Sequence, residues 1–162
     1  MLADFKQRFT GSKFLCLDCG AVYNSVNLNI DARITEDNPY GDVVCPKANC
    51  EGELIEVDEL LIPTIWILNQ KGYMTEDSCS GHYTSDRCRT YIKFECGIDV
   101  LTVPRGFTKE KYGDNVTIES YVSFRKPDLN DFYKICDNAK ELARWAESLP
   151  DIDDTKNMRW PY

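Results

Sequence analysis

Cys16 and Cys19 form one close cysteine pair and Cys45 and Cys50 form another, with 25 residues between the two pairs. That spacing suits one tetrahedral divalent ion, because a short pair presents two sulfurs on a tight turn while a second turn closes the set. The flanks fit two such turns. Gly20 follows the first pair and Gly52 the second, so glycine is available where the backbone needs a positive φ. The reading is a structural Zn²⁺ site with Cys16, Cys19, Cys45 and Cys50 as ligands. Four thiolates leave no position for a reactive water, which argues against hydrolytic zinc chemistry there.

A second chemically suggestive stretch follows at residues 75–82. Ser78, Ser80 and Gly81 lie where small hydroxyl residues around a glycine can turn backbone N–H groups toward an anionic or polar ligand. His82 is the single histidine and the one ordinary side chain here able to move a proton near neutral pH. The ligand-binding candidates are therefore Ser78, Ser80, Gly81 and His82, with Glu76 and Asp77 offering carboxylates nearby. A lone histidine beside a turn is also commonly a hydrogen-bonded surface residue. Cys79, His82, Cys88 and Cys96 could form a second metal site, since a short Cys-His pair is ligand-like. Against it, Cys96 fits the inward face of a strand and Cys136 the buried face of a helix, where a thiol behaves as a small apolar group. Cys79 as a nucleophile would depend on His82 for activation.

Composition bounds the rest. The 162 residues are 43% hydrophobic and 12% aromatic, enough for a packed core. Residues 1–9 show no apolar leader, so the eight cysteines read as reduced thiols in a cytoplasmic protein rather than as a disulfide scaffold. No apolar run approaches the ~20 residues that cross a bilayer, so no membrane partner is expected. The net charge of −8 disfavours nucleic acid, and four thiolates with one Zn²⁺ carry it to about −10. Arg87 and Arg89, residues 105–111, and Arg125 with Lys126 read as solvated surface. A basic surface on another protein is the more fitting partner.

The elements that position these residues follow from periodicity. Residues 1–12 form a short helical lead with Phe5 and Phe9 on one face, and residues 13–57 the metal module, with strands at 21–23, 26–30 and 54–57 around a polar, turn-rich 31–42. This module resembles a zinc ribbon, and its stability should come mostly from the ion. Residues 58–72 read as a buried helix of about three turns, opened by Pro63 and ended by Gly72. Strands are expected at 90–96, 98–103 and 116–125, and after Pro127 the period becomes helical up to Pro150, with Asp128 or Asn130 as cap. The expected fold class is α+β, a small β zinc ribbon followed by a mainly antiparallel sheet covered by two helices. The expected division is 1–57 ribbon with its lead, 58–150 α+β domain and 151–162 tail.

From residue 62 to 95 the pattern of an apolar helix, Leu68-Asn69, Tyr73-Met-Thr75 and Ser78-Cys-Ser-Gly81 before a strand resembles the wybutosine-synthesis methyltransferase family. The resemblance implies S-adenosylmethionine or nucleotide binding around Ser78, Ser80 and Gly81 and a distant relationship to RNA-modifying methyltransferases. His82 stands where that family's element carries arginine. Lys71-Gly-Tyr73 with Ser78 to His82 is also similar to small bacterial or phage zinc-ribbon proteins. Three function readings follow: a zinc-binding, non-enzymatic regulatory or accessory protein acting through macromolecular contact; a nucleotide or S-adenosylmethionine binder, with or without methyl transfer; and a purely zinc-stabilised scaffold with a second metal at Cys79, His82, Cys88 and Cys96.

Overall fold

The computed structural model describes residues 12–24, 28, 44–81, 87–123 and 129–152. The expected helical lead lies outside these apart from Ser12, as do residues 31–42, nearly all of the strand expected at 26–30, His82 and most of the C-terminal tail.

The N-terminal sheet has the order β2-β1-β3, with β1 at Ser12–Cys16, β2 at Val22–Tyr23 and β3 at Leu54–Asp58. All its pairings are antiparallel. A short bridge between Val44 and Glu53 closes a second hairpin that runs into β3. This is the expected ribbon, with one addition. Ser12 belongs to β1, where it pairs with Asp58 and hydrogen-bonds Glu56, rather than to a helical lead.

β3 passes through a tight turn at Glu59–Leu61 into helix α1 at Ile62–Gln70. Pro63 sits in its first turn, where a missing N–H costs nothing. Gly72 (φ +87°) reverses the chain, and the Tyr73 N–H donates to the Leu68 carbonyl at 2.9 Å. The second sheet has the order β4-β5-β7-β6, from β4 at Thr75–Cys79, β5 at Arg87–Phe94, β6 at Thr108–Tyr112 and β7 at Asn115–Ser123. It is antiparallel throughout, and helix α2 at Leu129–Ser148 completes the α+β fold.

Several expected elements differ from the observed ones. Residues 98–103 form no strand: Val100 is a fully buried anchor while Leu101 is 95% exposed. Asp99 takes the Val100 N–H and Lys109 Nζ donates to the Val100 carbonyl, so side chains satisfy this backbone instead of a neighbouring strand. The strand is β6, charged along its length and thus without apolar alternation. It is set by the two-residue Gly113-Asp114 turn that brings Tyr112 opposite Asn115, with Gly113 (φ +62°) at the first central position. Cys96, expected to face inward, lies exposed in the turn after β5. On α2 the buried stripe runs through Ile135, Ala139, Leu142, Trp145 and Ala146, leaving Leu129 and Tyr133 exposed.

The two sheets share one core. Leu15 of β1 and Val57 of β3 pack in the same cluster as Ile65 and Leu68 of α1, Phe94 of β5 and Leu142 of α2. A second tie joins β3 to β4: the backbone N–H and hydroxyl of fully buried Ser80 both donate to Asp58 Oδ2, at 2.7 and 3.0 Å. Asp58→Ala leaves two buried donors without their acceptor, whereas Ser80→Ala removes one of them. We expect about 3 kcal/mol for the first and about 1 kcal/mol for the second. Urea melts measure both, and equal costs would mean that Asp58 is not the shared acceptor.

Candidate metal centre

Cys16 ends β1, and the turn that follows is fixed by two backbone bonds, from the Gly20 N–H to the Cys16 carbonyl and from the Cys16 N–H to the Ala21 carbonyl, both 2.9 Å. Gly20 has φ +70°, as a turn folding back on its own cysteine requires. In the second hairpin the positive φ falls on Asn49 (φ +62°), a residue type that tolerates it. Gly52 has a different task. A Cβ there would lie 2.7 Å from the Asp18 carboxyl carbon and 2.8 Å from Cys16 Sγ, so the second hairpin reaches the first only without a side chain.

These turns bring the sulfurs of Cys16, Cys19, Cys45 and Cys50 within 4.8 Å of one another. Cys16 Sγ is 3.6 Å from Cys50 Sγ and Cys19 Sγ is 3.7 Å from Cys45 Sγ. A tetrahedron with metal–sulfur bonds of ~2.3 Å has edges of about 3.8 Å, whereas a disulfide needs ~2.05 Å. All four are free thiols, and the set can hold a metal ion. Cys16 and Cys45 are buried and Cys19 and Cys50 half-buried, with Phe14, Tyr23, Leu28 and Leu54 around them. Among the described residues no other group of three metal-ligating side chains converges.

The electrostatics single out one thiol. Burial works to raise Cys45, but hydrogen bonds from the Tyr23 hydroxyl at 3.4 Å, the Lys47 backbone and the Cys19 and Cys50 thiols bring it down to about 7. At Cys50 a backbone hydrogen bond at Gly52 lowers the thiol, but burial and the other three sulfurs outweigh it and push it up to about 12. Burial also raises Cys16. Without a metal, Cys45 is eased toward the thiolate while Cys16 and Cys50 are held back from it; a bound dication would offset that resistance.

The signs oppose each other. Cys45, depressed from 9.0, contributes stability that is present above pH 9 and lost as pH falls toward 7. Cys50, raised from 9.0, contributes stability that is present below pH 9 and lost as pH climbs toward 12. We expect the metal-free protein to lose thermal stability above pH 9. The metal-loaded protein should keep it there and release its ion on acidification, because the ligands must be deprotonated. Melting curves of both forms from pH 5 to 10 test this; parallel pH profiles would contradict it.

The stretch read as a ligand loop is placed differently. Ser78 and Cys79 lie within β4, and Ser80 and Gly81 continue it. Both donors of Ser80 are committed to Asp58, and its carbonyl accepts from the Thr90 hydroxyl at 2.9 Å. Gly81 is buried at φ +99°, its N–H directed to Cys79 Sγ at 3.4 Å. His82 lies outside the described residues. Cys88 is buried near the start of β5, whereas Cys96 lies beyond its far end, ~20 Å or more away along an extended chain. The two cannot share an ion. Burial raises the Cys79 thiol and pushes Cys88 up to about 11, the opposite of an activated nucleophile.

A cleft of about 310 Å³ on α2 is lined by Arg105, Asp137, Asn138, Lys140, Glu141 and Arg144. Its cations are matched internally, Arg105 and Arg144 with Glu141 and Lys140 with Asp137. Two contacts that the sequence did not signal hold the metal centre to α1. The Gln70 side-chain amide donates to the Leu17 carbonyl at 2.7 Å, and the Trp66 ring lies where a Cβ on Gly20 would meet it at 3.2 Å. Among the described residues no helix is long and apolar enough to cross a membrane.

Comparison with protein-family models, with curated proteins and with solved structures finds no match. The metal centre and the surfaces around it therefore carry the functional reading.

Proposed function

We propose that this chain is a zinc-stabilised, non-enzymatic binding protein of the cytoplasm, a regulatory or accessory factor whose partner is another protein. The convergence of four thiols at tetrahedral spacing carries the reading. Zn²⁺ is the ion of choice because it favours a full thiolate set without redox demands. Such an ion cross-links two hairpins and has no open position for substrate, so its contribution is to shape. The net charge of −8 favours a basic protein surface over a nucleic-acid backbone.

The alternative, nucleotide or S-adenosylmethionine at residues 78–82 with a distant methyltransferase ancestry, would have to use groups other than the Ser80 N–H and hydroxyl, which Asp58 holds. Metal analysis of the purified protein together with ligand melts tests the choice. One zinc per chain and no thermal shift with S-adenosylmethionine or nucleotides support the binding-protein reading. A shift of the size expected for ligand at 100 times its Kd, about 2.7 kcal/mol, would reverse it.

A further inference from the structure

The four-stranded sheet buries Ile92, Phe94, Val116 and Ile118 against the helices, and the side chains that alternate with these point the other way. On that outer face Tyr91 of β5 is paired with Glu119 of β7, and Glu119 in turn with Thr108 of β6. In the next row Lys93, Thr117 and Glu110 stand side by side. The face is open to solvent toward β6 and toward the end of β7, where Tyr112 is 69% exposed and Tyr121 54%, while Thr117 and Glu119 at its centre are buried.

One part of this face already holds a cation from the chain itself. The guanidinium carbon of Arg89 lies 4.4 Å from the centroid of the Tyr91 ring. Its Nε and Nη2 donate to Glu119 Oε2 at 2.6 and 2.5 Å, and the Tyr121 hydroxyl donates to the same oxygen at 3.4 Å. An aromatic ring and a carboxylate on adjacent strands make a site for a planar cation.

The other part offers the same two residue types without a cation, along one strand rather than across two. Glu110 is half-buried on the outer face, and Tyr112, two residues on, stands on the same side of the strand. Among the described residues no hydrogen bond or ion pair reaches the Glu110 carboxylate. Lys93, which shares its row, is drawn to Glu76 at 2.6 Å, and Lys109 lies on the opposite side of the strand, bonded to Asp99. The face as a whole sets Glu76, Asp77, Glu110 and Glu119 against Arg89 and Lys93, an acidic excess within an acidic chain.

We propose that Glu110 and Tyr112 dock an arginine side chain presented by an extended basic segment of a partner protein, reproducing between molecules what Arg89, Tyr91 and Glu119 do within this one. The proposal rests on the reading of the chain as a binding protein and names the surface and the partner's chemistry. Guanidinium is preferred to ammonium because its plane can lie on the tyrosine ring while its edge meets the carboxylate. Nucleic acid is disfavoured because a phosphate would meet the carboxylates first.

The test is an amide-resonance titration of the metal-loaded protein with an Arg-Gly repeat peptide, with Lys-Gly and Glu-Gly peptides and with a ten-nucleotide oligo-dT. The Arg-Gly peptide should shift resonances of β6 and the neighbouring row of β7. Glu110→Gln and Tyr112→Ala should each weaken it about tenfold with the spectrum of the fold intact, and Glu147→Gln on α2 should leave it unchanged. Equal weakening by Glu147→Gln, shifts spread over the whole acidic surface, or shifts at β6 from oligo-dT in place of the peptide would overturn the proposal. Co-purification from the source cell with wild type and with Glu110→Gln/Tyr112→Ala separates the two levels. A partner captured equally by both keeps the binding-protein reading and rejects this face. No captured partner rejects that reading, while the titration still decides the chemistry of the face.

Discussion

Removing the metal with a chelator is expected to unfold the ribbon and to destabilise the rest of the chain with it. A structural zinc site contributes about 10–16 kcal/mol of apparent binding energy near neutral pH, comparable to the whole stability of an ordinary domain. A sheet of three short strands around one small cluster gains little from a core of its own. The loss would not stay local, because Leu15 and Val57 belong to the same core as Ile65, Leu68 and Phe94. Exposing those two side chains costs about 1.5–3 kcal/mol each, and the Trp66 ring loses its cover at Gly20. Three signals should therefore move together on chelation: strand content by circular dichroism, a red shift of tryptophan emission that is absent in Trp66→Phe, and a lower melting temperature of what remains. Cys45→Ser should reproduce all three without chelator. Unchanged melting and emission in protein verified to be metal-free would show that packing alone holds the ribbon.

That coupling between ribbon and sheet was the least legible feature of the chain. The convergence of the four cysteines could be read directly, because a spacing that suits a tetrahedron does so whatever surrounds it. β5 and α1 could be read because Ile92 and Phe94 alternate with Tyr91 and Lys93, and Pro63 and Gly72 mark the helix ends. Local pattern carried no sign that Leu15, beside a ligand, would join the core of a sheet some eighty residues away. The pairing of β4 and the existence of β6 stayed hidden for a related reason. Thr75, Glu76 and Asp77 on one edge and Lys109, Glu110 and Lys111 on the other have no apolar alternation to detect, and their pairing is imposed by the longer inner strands. Gly52 was noticed for its conformational freedom, yet what matters there is the absence of a Cβ beside Cys16 Sγ.

Ser80 and Gly81 teach the same lesson at the second stretch. Small hydroxyl residues around a glycine suit a ligand cradle, but they suit equally a place where two backbones must come close. Here Ser80 is fully buried with its donors on Asp58, and Gly81 stands against Cys88. A pattern of residue types cannot separate these cases, because both ask for the same absence of bulk. The distinction appears only when the neighbour is known.

Gly81→Ala is expected to be among the most damaging single substitutions outside the metal centre. Two costs act together. Gly81 has φ +99°, a conformation that an L side chain enters at about 1–2 kcal/mol, and its new Cβ would lie 2.0 Å from Cys88 Sγ. Cys88 is itself 1% exposed and packed with Ile135 of α2, so the sulfur has nowhere to retreat without disturbing the helix. Overpacking of that kind costs about 1–3 kcal/mol, giving roughly 2–5 kcal/mol in all. Gly97→Ala isolates the first cost, since Gly97 shares a positive φ (+85°) with nothing within 4 Å of the added carbon; about 1–2 kcal/mol is expected there. Cys88→Ala isolates the second, because removing the sulfur from the Gly81→Ala background should return about 2 kcal/mol relative to additivity. Denaturant unfolding of the four variants completes the cycle. Strict additivity of the Gly81 and Cys88 substitutions would mean that the contact yields without strain, and that backbone conformation alone keeps glycine at position 81.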